Sequence, residues 1–385
     1  MAPNCLLILR MRRFVCYIVA MLFTSVVCQR ASAQELRLGA DFATLFDNKE
    51  YASMSFDSSG TLFSARLTPK VGFCWAERNE LMFAVDMVQN FGHKSKFLSD
   101  VNVQIYYGYN APRLTLYAGI FPRNKMKSLQ SKNYFLQSPI LFDRSYLYYQ
   151  NRIGGVLARY QNPSKGYVEF VMDYTGMRDF DTREAFTILS SGQHRLSATR
   201  LPDLSYGYEL MMGHYAKDNN PATDDGVVDN LMLTPYLQYD RGFDLKRGSS
   251  LDLLVRLSYV VSLQRDRHFE NRWESPMGGE LLTALGWQGL WLSNRLYVGR
   301  GSLLPFYDRY GSELYHGCAM YRTDRGIYDA ISLSFKRDFF DDTVDVELGI
   351  TGEYDGTGWG TRQWLMVSVD LDYGISLRRK QPTME

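Results

Sequence analysis

From Leu251 to Leu263 every second residue is apolar: Leu251, Leu253, Val255, Leu257, Tyr259, Val261 and Leu263. Asp252, Leu254, Arg256, Ser258, Val260 and Ser262 fall between them. A period of two sends successive side chains to opposite faces of one extended strand. One face is then continuously apolar, and the other carries an acid, a base and hydroxyls. Strands in water-soluble domains are usually about five or six residues long. A strand of about ten residues with this alternation is what a tilted crossing of a bilayer requires.

The pattern recurs. Val101 to Tyr109, Leu114 to Ile120, Val168 to Tyr174, Leu231 to Tyr239, Ile331 to Phe335, Val344 to Ile350 and Leu365 to Leu377 all alternate. Pro235 lies inside one of these runs and has no N–H to give a ladder, which predicts a bulge or an interrupted pair there. Short turn signals such as Asn110-Ala111-Pro112, Asn162-Pro163-Ser164, Lys246-Arg247-Gly248 and Phe340-Asp341-Asp342 separate some runs. Longer connections, such as Asp218 to Gly226 and Arg265 to Pro276, separate others. Short turns at one end and long loops at the other are the layout of an outer-membrane barrel. Weaker segments bring the strand count to about 16, in a range of 14–18. The expected fold is all-β: a single transmembrane antiparallel β-barrel over residues 34–377. A β-sandwich could also bury apolar faces, but it would use shorter strands.

The N-terminus reads as a signal peptide over residues 1–33. Arg12 and Arg13 precede an apolar run, and Ala31-Ser32-Ala33 is a small-x-small cleavage site that leaves Gln34 first. Cleavage between Ala33 and Gln34 removes four arginines and no acids. The remaining 352 residues carry 39 basic and 42 acidic side chains, a balance that argues against nucleic acid as a partner. No later stretch has the roughly eighteen uninterrupted apolar residues of a transmembrane helix. Cys74 and Cys318 are the two cysteines outside the signal, and the sequence leaves open whether they pair. Residues 378–385 form a short polar tail.

The Ala31-Ser32-Ala33 signal, the alternating strands and the final strand from Gln363 to Leu377 together resemble Gram-negative outer-membrane β-barrels of the porin type, of the kind found in Bacteroidota-like genomes. The resemblance implies a location in the cell outer membrane, contact with outer-membrane lipid and lipopolysaccharide, and passive diffusion of small hydrophilic solutes through the lumen. It leaves homo-oligomerisation open. Such barrels usually end on an aromatic residue, whereas this chain runs on past Leu377.

The stretch from Pro122 to Gln150 is the candidate pore constriction. It holds Arg123, Lys125, Lys127, Lys132 and Arg144 against one acid, Asp143, and ends in Tyr146, Tyr148 and Tyr149. Residues 122–200 carry twelve basic and six acidic side chains, a balance open to two readings: cations that bind lipopolysaccharide phosphates or solvate an outer loop, or a pore that prefers anions. Candidate lumen charges are Arg152, Arg183, Glu184, Arg195, Asp252 and Arg256. Trp287, Trp291, Trp359, Trp364, Tyr107 and Tyr109 are candidates for the aromatic girdles. No Gly-x-Ser-x-Gly elbow surrounds a serine, and none of the five histidines has a recognisable nucleophile beside it. No metal-ligand spacing appears, although Asp218, Asp224, Asp225 and Asp229 crowd one loop. The expectation is therefore a non-enzymatic pore with no catalytic residue, metal or cofactor. The alternatives are a non-conducting structural, adhesion or secretion barrel and, less favoured, a barrel lipase or protease.

Overall fold

A computed structural model describes residues 35–51, 54, 59–92, 96–130, 139–177, 183–197, 200–216, 226–245, 249–268, 271–322, 325–341 and 343–376. The cleavage site at Ala33 and Gln34, Lys132, the turn at 246–248, Asp218, Asp224, Asp225 and the tail at 378–385 lie outside the described residues.

Sixteen strands form the wall: β1 (Glu35–Tyr51), β2 (Gly60–Trp75), β3 (Asn79–Asn90), β4 (Asp100–Asn110), β5 (Leu114–Pro122), β6 (Arg152–Asn162), β7 (Gly166–Gly176), β8 (Ala185–Ser197), β9 (Leu201–Tyr215), β10 (Val228–Asp244), β11 (Ser250–Asp266), β12 (Met277–Trp287), β13 (Leu290–Arg300), β14 (Ile327–Phe339), β15 (Val344–Tyr354) and β16 (Trp359–Ser376). Each pairs antiparallel with its chain neighbours, and β1 pairs with β16 to close the ring. Closure gives every strand two partners, which is how a sheet can lie in hydrocarbon without an unpaired edge.

The alternation sets which face meets lipid. On β11, Leu257 and Tyr259 are 58% and 47% exposed, while Leu254, Arg256, Ser258, Val260 and Ser262 between them are buried in the lumen. The same phase holds on β4, where Val101, Val103 and Ile105 face outward and Gln104 and Tyr106 inward. Pro235 interrupts the β10–β11 ladder between Leu233–Val261 and Tyr236–Ser258 without shifting register. Pro69 does the same between β2 and β3. In both cases the missing N–H removes a bond and adds no residue, so the result is a gap and not a bulge.

Two of the six aromatic girdle candidates are corrected by this phase. Trp364 is buried in the lumen, and Trp291 packs on the interior cluster of Leu254, Leu282 and Ala284. Each is flanked by outward leucines (Leu365; Leu290 and Leu292), so each points inward. Trp287 and Trp359 do face outward, at opposite ends of the barrel. Cys74 and Cys318 are free and do not pair.

Candidate functional site

The short turns, such as Gln288-Gly289 with φ of 50° and 89°, all lie at one end of the barrel. The long connections lie at the other end, which is the extracellular side in barrels of this kind. Two of the long connections fold into the lumen. The first, between β5 and β6, holds helix α1 (Arg144–Tyr149), started by Asp143 accepting from the Ser145 N–H at 3.1 Å. The second, between β13 and β14, holds helix α2 (Tyr307–Leu314), broken at Gly311, where φ is 52°.

The two connections lock together. The Asp143 N–H donates to the His316 carbonyl and the Cys318 N–H to the Pro139 carbonyl, each at 2.7 Å. Gly317 passes so close that a Cβ there would sit 2.0 Å from the Ile140 carbonyl oxygen. Ile140, Leu141 and Phe142 from the first and Leu303, Leu304, Tyr315 and Tyr321 from the second are buried together. They pack on inward apolar wall residues such as Phe121, Ile153, Leu189 and Met211. Each large apolar side chain so buried is worth about 1.5–3 kcal/mol, and the middle of the lumen becomes a packed core.

The described parts of the constriction stretch, 122–130 and 139–150, lie inside the barrel, and Arg123, Lys125 and Arg144 each meet a carboxylate. The Arg123 guanidinium meets Asp173 at 2.7 Å and Arg144 meets Glu347 at 3.0 Å. Lys125 approaches Glu80 at 3.8 Å and lies over the Tyr106 and Tyr117 rings. The Lys127 N–H donates to Glu169. Among the candidate lumen charges, Arg256 points inward onto Gln238 and the Tyr236 ring. Arg195 and Arg256 line one lumen crevice, and Asp252 is on the inward phase of β11. Arg183 is buried over the Tyr215 ring and donates to the Ala216 carbonyl at 2.6 Å. The Glu184 carbonyl accepts from Ala216, and Arg152 lies at the rim with its carbonyl accepting from Arg123.

What the two connections do build is a crevice of about 840 Å³ in the extracellular half, between α2 and the upper ends of β6 to β9. His316 lines it. Its ring stacks on Tyr146 at 4.3 Å, and Tyr146 stacks in turn on Phe142. The Arg123 guanidinium lies over both aromatic rings, at 5.3 and 5.4 Å. Burial, and secondarily the charge of Arg123, lower the His316 pKa to about 4, so the imidazole is neutral at pH 7. Its Nδ1 is buried without a hydrogen-bond partner among the described residues. Arg183, Arg309, Tyr215, Tyr310 and Glu313 complete the extracellular wall.

A second cluster lies against β1 and β16. Arg362 contacts both Asp47 and Asp143, and the Cys318 thiol donates to Asp143 at 3.2 Å. Burial would raise Asp143, but Arg362 and Lys49 outweigh it and hold the carboxyl well below its usual range. Burial, then Asp143, push the Cys318 thiol well up. That thiol stays protonated and is no nucleophile. Among the described residues, no group of three or more histidine, cysteine, aspartate and glutamate side chains is placed to hold a metal ion.

A family model described as lipid A 3'-O-deacylase-type matches residues 28–354. That match overturns the expectation of a non-enzyme, because the family is named for an enzyme activity. No curated protein sequence matches. Among solved structures, a loop-deletion mutant of OmpT, an outer membrane protein of Vibrio cholerae, superposes with a TM-score of 0.50 at 11% identity, covering 88% of this chain and all of that one. Salmonella typhi OmpF in complex with daunomycin gives 0.49 at 10% identity, covering 86% and 97%. Acinetobacter baumannii OccAB3 gives 0.44 at 10%, covering 88% and 99%. The likeness to the OmpT mutant bears on the fold alone, a closed antiparallel β-barrel.

Proposed function

The chain belongs to the lipid A 3'-O-deacylase-type family, and from that premise we propose that it is an outer-membrane hydrolase that removes an ester-linked acyl chain from a lipid A-like glycolipid. The observation that carries the reading is His316, a neutral buried imidazole with an unpartnered ring nitrogen on a crevice in the extracellular half. Lipopolysaccharide occupies that side of the membrane.

The chemistry needs a base and a place for negative charge. His316 Nδ1 takes a proton from a water as the water oxygen attacks the ester carbonyl carbon. The resulting oxyanion forms in the field of Arg123, the same charge that depresses His316. Collapse expels the sugar alkoxide, which recovers the proton from His316, leaving a fatty acid and a free hydroxyl. Arg309, which also pairs with Asp266 at 3.3 Å, is the exposed crevice-wall cation placed to meet a phosphate of a glycolipid headgroup.

A passive channel for small hydrophilic solutes, anion-preferring or not, draws on the same wall. The packed core of the two infolded connections weighs against it, as does the pairing of Arg123 and Arg144 with carboxylates. The test is the mass spectrum of lipid A incubated with the purified barrel in detergent. We expect loss of one acyl chain with the native protein and none with His316→Ala. Unchanged lipid A with the native protein overturns the reading.

A further inference from the structure

The wall lacks ladder bonds beside this crevice. Strands β6 and β7 pair from Asn162–Gly166 only up to Gly155–Asp173. Above that point Arg152 to Gly154 keep their ladder with β5, and Tyr174 to Gly176 keep theirs with β8, including a register shift at Tyr174/Gly176. The two strands have no ladder with each other there. The backbones stay close, since a Cβ on Gly154 would lie 3.3 Å from the Tyr174 carbonyl oxygen, but polar contacts from within take the place of ladder bonds. The Asp173 carboxylate takes the Gly154 N–H at 2.9 Å, and Arg123 takes the Arg152 carbonyl at 2.8 Å while bridging to Asp173. Gly154 adds no side chain on the outer face.

The crevice borders this seam. It is lined by His316, Tyr146 and Asp173 inside and by Ile120, Gly154 and Tyr174 outside, with Ile120 and Tyr174 on the lipid-exposed face. The outer surface around it, Val156 and Phe170 included, is apolar. Unladdered backbone at membrane depth is tolerated only where it lines a protein cavity, and here it does.

We propose that the β6–β7 seam is a lateral portal through which an acyl chain of an outer-leaflet lipid passes from the membrane into the His316 crevice. This rests on the hydrolase reading for its purpose but not for its test. The occupant is a hydrocarbon chain, because the outer mouth offers apolar contacts and the inner end an aromatic floor at Tyr146. The headgroup stays outside at the level of Arg152. The portal thus places an ester, which joins chain to headgroup, at the depth of the seam.

The test separates access from catalysis. The barrel is reconstituted in vesicles containing a phosphatidylcholine whose acyl chain carries a mid-chain diazirine, irradiated, digested and mapped by mass spectrometry. Adducts are expected on Tyr146 and neighbouring crevice residues. They should fall at least tenfold in a Gly154→Cys/Tyr174→Cys disulfide variant made in a Cys74→Ser background, and return on reduction. Gly154→Trp, which fills the seam without a cross-link, should act likewise. Adducts confined to the outer face, or crevice adducts unchanged by both variants, overturn the portal. Crevice labelling by a protein that leaves lipid A intact sinks the hydrolase and leaves the portal standing. Lipid A cleavage without crevice labelling does the reverse.

Discussion

Replacing Asp173 by Ala should release the infolded connection that carries α1. Arg123 and Asp173 face each other at 2.7 Å with side chains 3% and 5% exposed. Removing one partner of a buried pair leaves an uncompensated charge, which costs about 3–5 kcal/mol. Arg123 would keep its bonds to the Gln150 and Arg152 carbonyls, so the lower end, about 3 kcal/mol, applies. The cost falls on the connection, since the ladders of β6 and β7 below Gly155–Asp173 do not depend on this carboxylate. At about 1.4 kcal/mol per tenfold, local opening of residues 139–150 should become roughly a hundredfold more frequent. Hydrogen exchange of amides such as Leu147 and Gln150, which donate inside α1, reads this directly. Conductance in planar bilayers should rise in parallel as the core leaves the lumen. Arg123→Met with Asp173→Leu should recover more than half of the lost protection, because no charge is then stranded. Exchange in Asp173→Ala equal to that of the native barrel would refute the reasoning.

His316 makes the inner assembly sensitive to acid. Its folded pKa of about 4 lies below the ordinary 6.5, so the stability it contributes is present above pH 6.5 and is lost as pH falls towards 4. Exchange protection of the two connections should drop across that window, and the acid limb of deacylation should lie nearer 4 than 6.5; a limb at 6.5 contradicts a buried neutral base. Gly317→Ala would put a methyl carbon 2.0 Å from the Ile140 carbonyl oxygen. Overpacking of this kind costs about 1–3 kcal/mol, so residues 139–142 should lose protection while global unfolding is unchanged; full protection counts against the lock. Leu257→Arg places a charge on the lipid face of β11, 58% exposed in the barrel. Near the bilayer midplane this costs about 2–4 kcal/mol, measurable by denaturant unfolding in vesicles; no change would mean that this face does not meet hydrocarbon.

The wall was legible because lipid and water impose opposite demands on alternate residues. The run from Leu251 to Leu263 sits in β11 with its outward residues as expected. Trp364 was legible too, had the phase of Leu365 and Val367 been followed one residue back. The constriction stretch announced itself by length and charge, but its ion partners did not. Asp173 and Glu347 lie on strands far along the chain, and only ring closure brings them to Arg123 and Arg144. His316 was invisible for a related reason. Its neighbours in sequence, Tyr315 and Gly317, say nothing of chemistry, whereas the stack on Tyr146 joins two separate connections.

Ring closure also sets the order in which this protein can be made. The ladder between β1 and β16 runs from Glu35–Ser376 to Tyr51–Gly360, joining the two ends of the described chain. Contacts this remote in sequence form slowly, because loop entropy must be spent before they stabilise anything. Until β16 arrives, β1 presents a bare edge along its whole length, with an apolar face beside it. A chain stalled short of β16 cannot settle into a smaller ring without changing every register in it. The incomplete barrel is therefore a template for adding strands until the last strand docks.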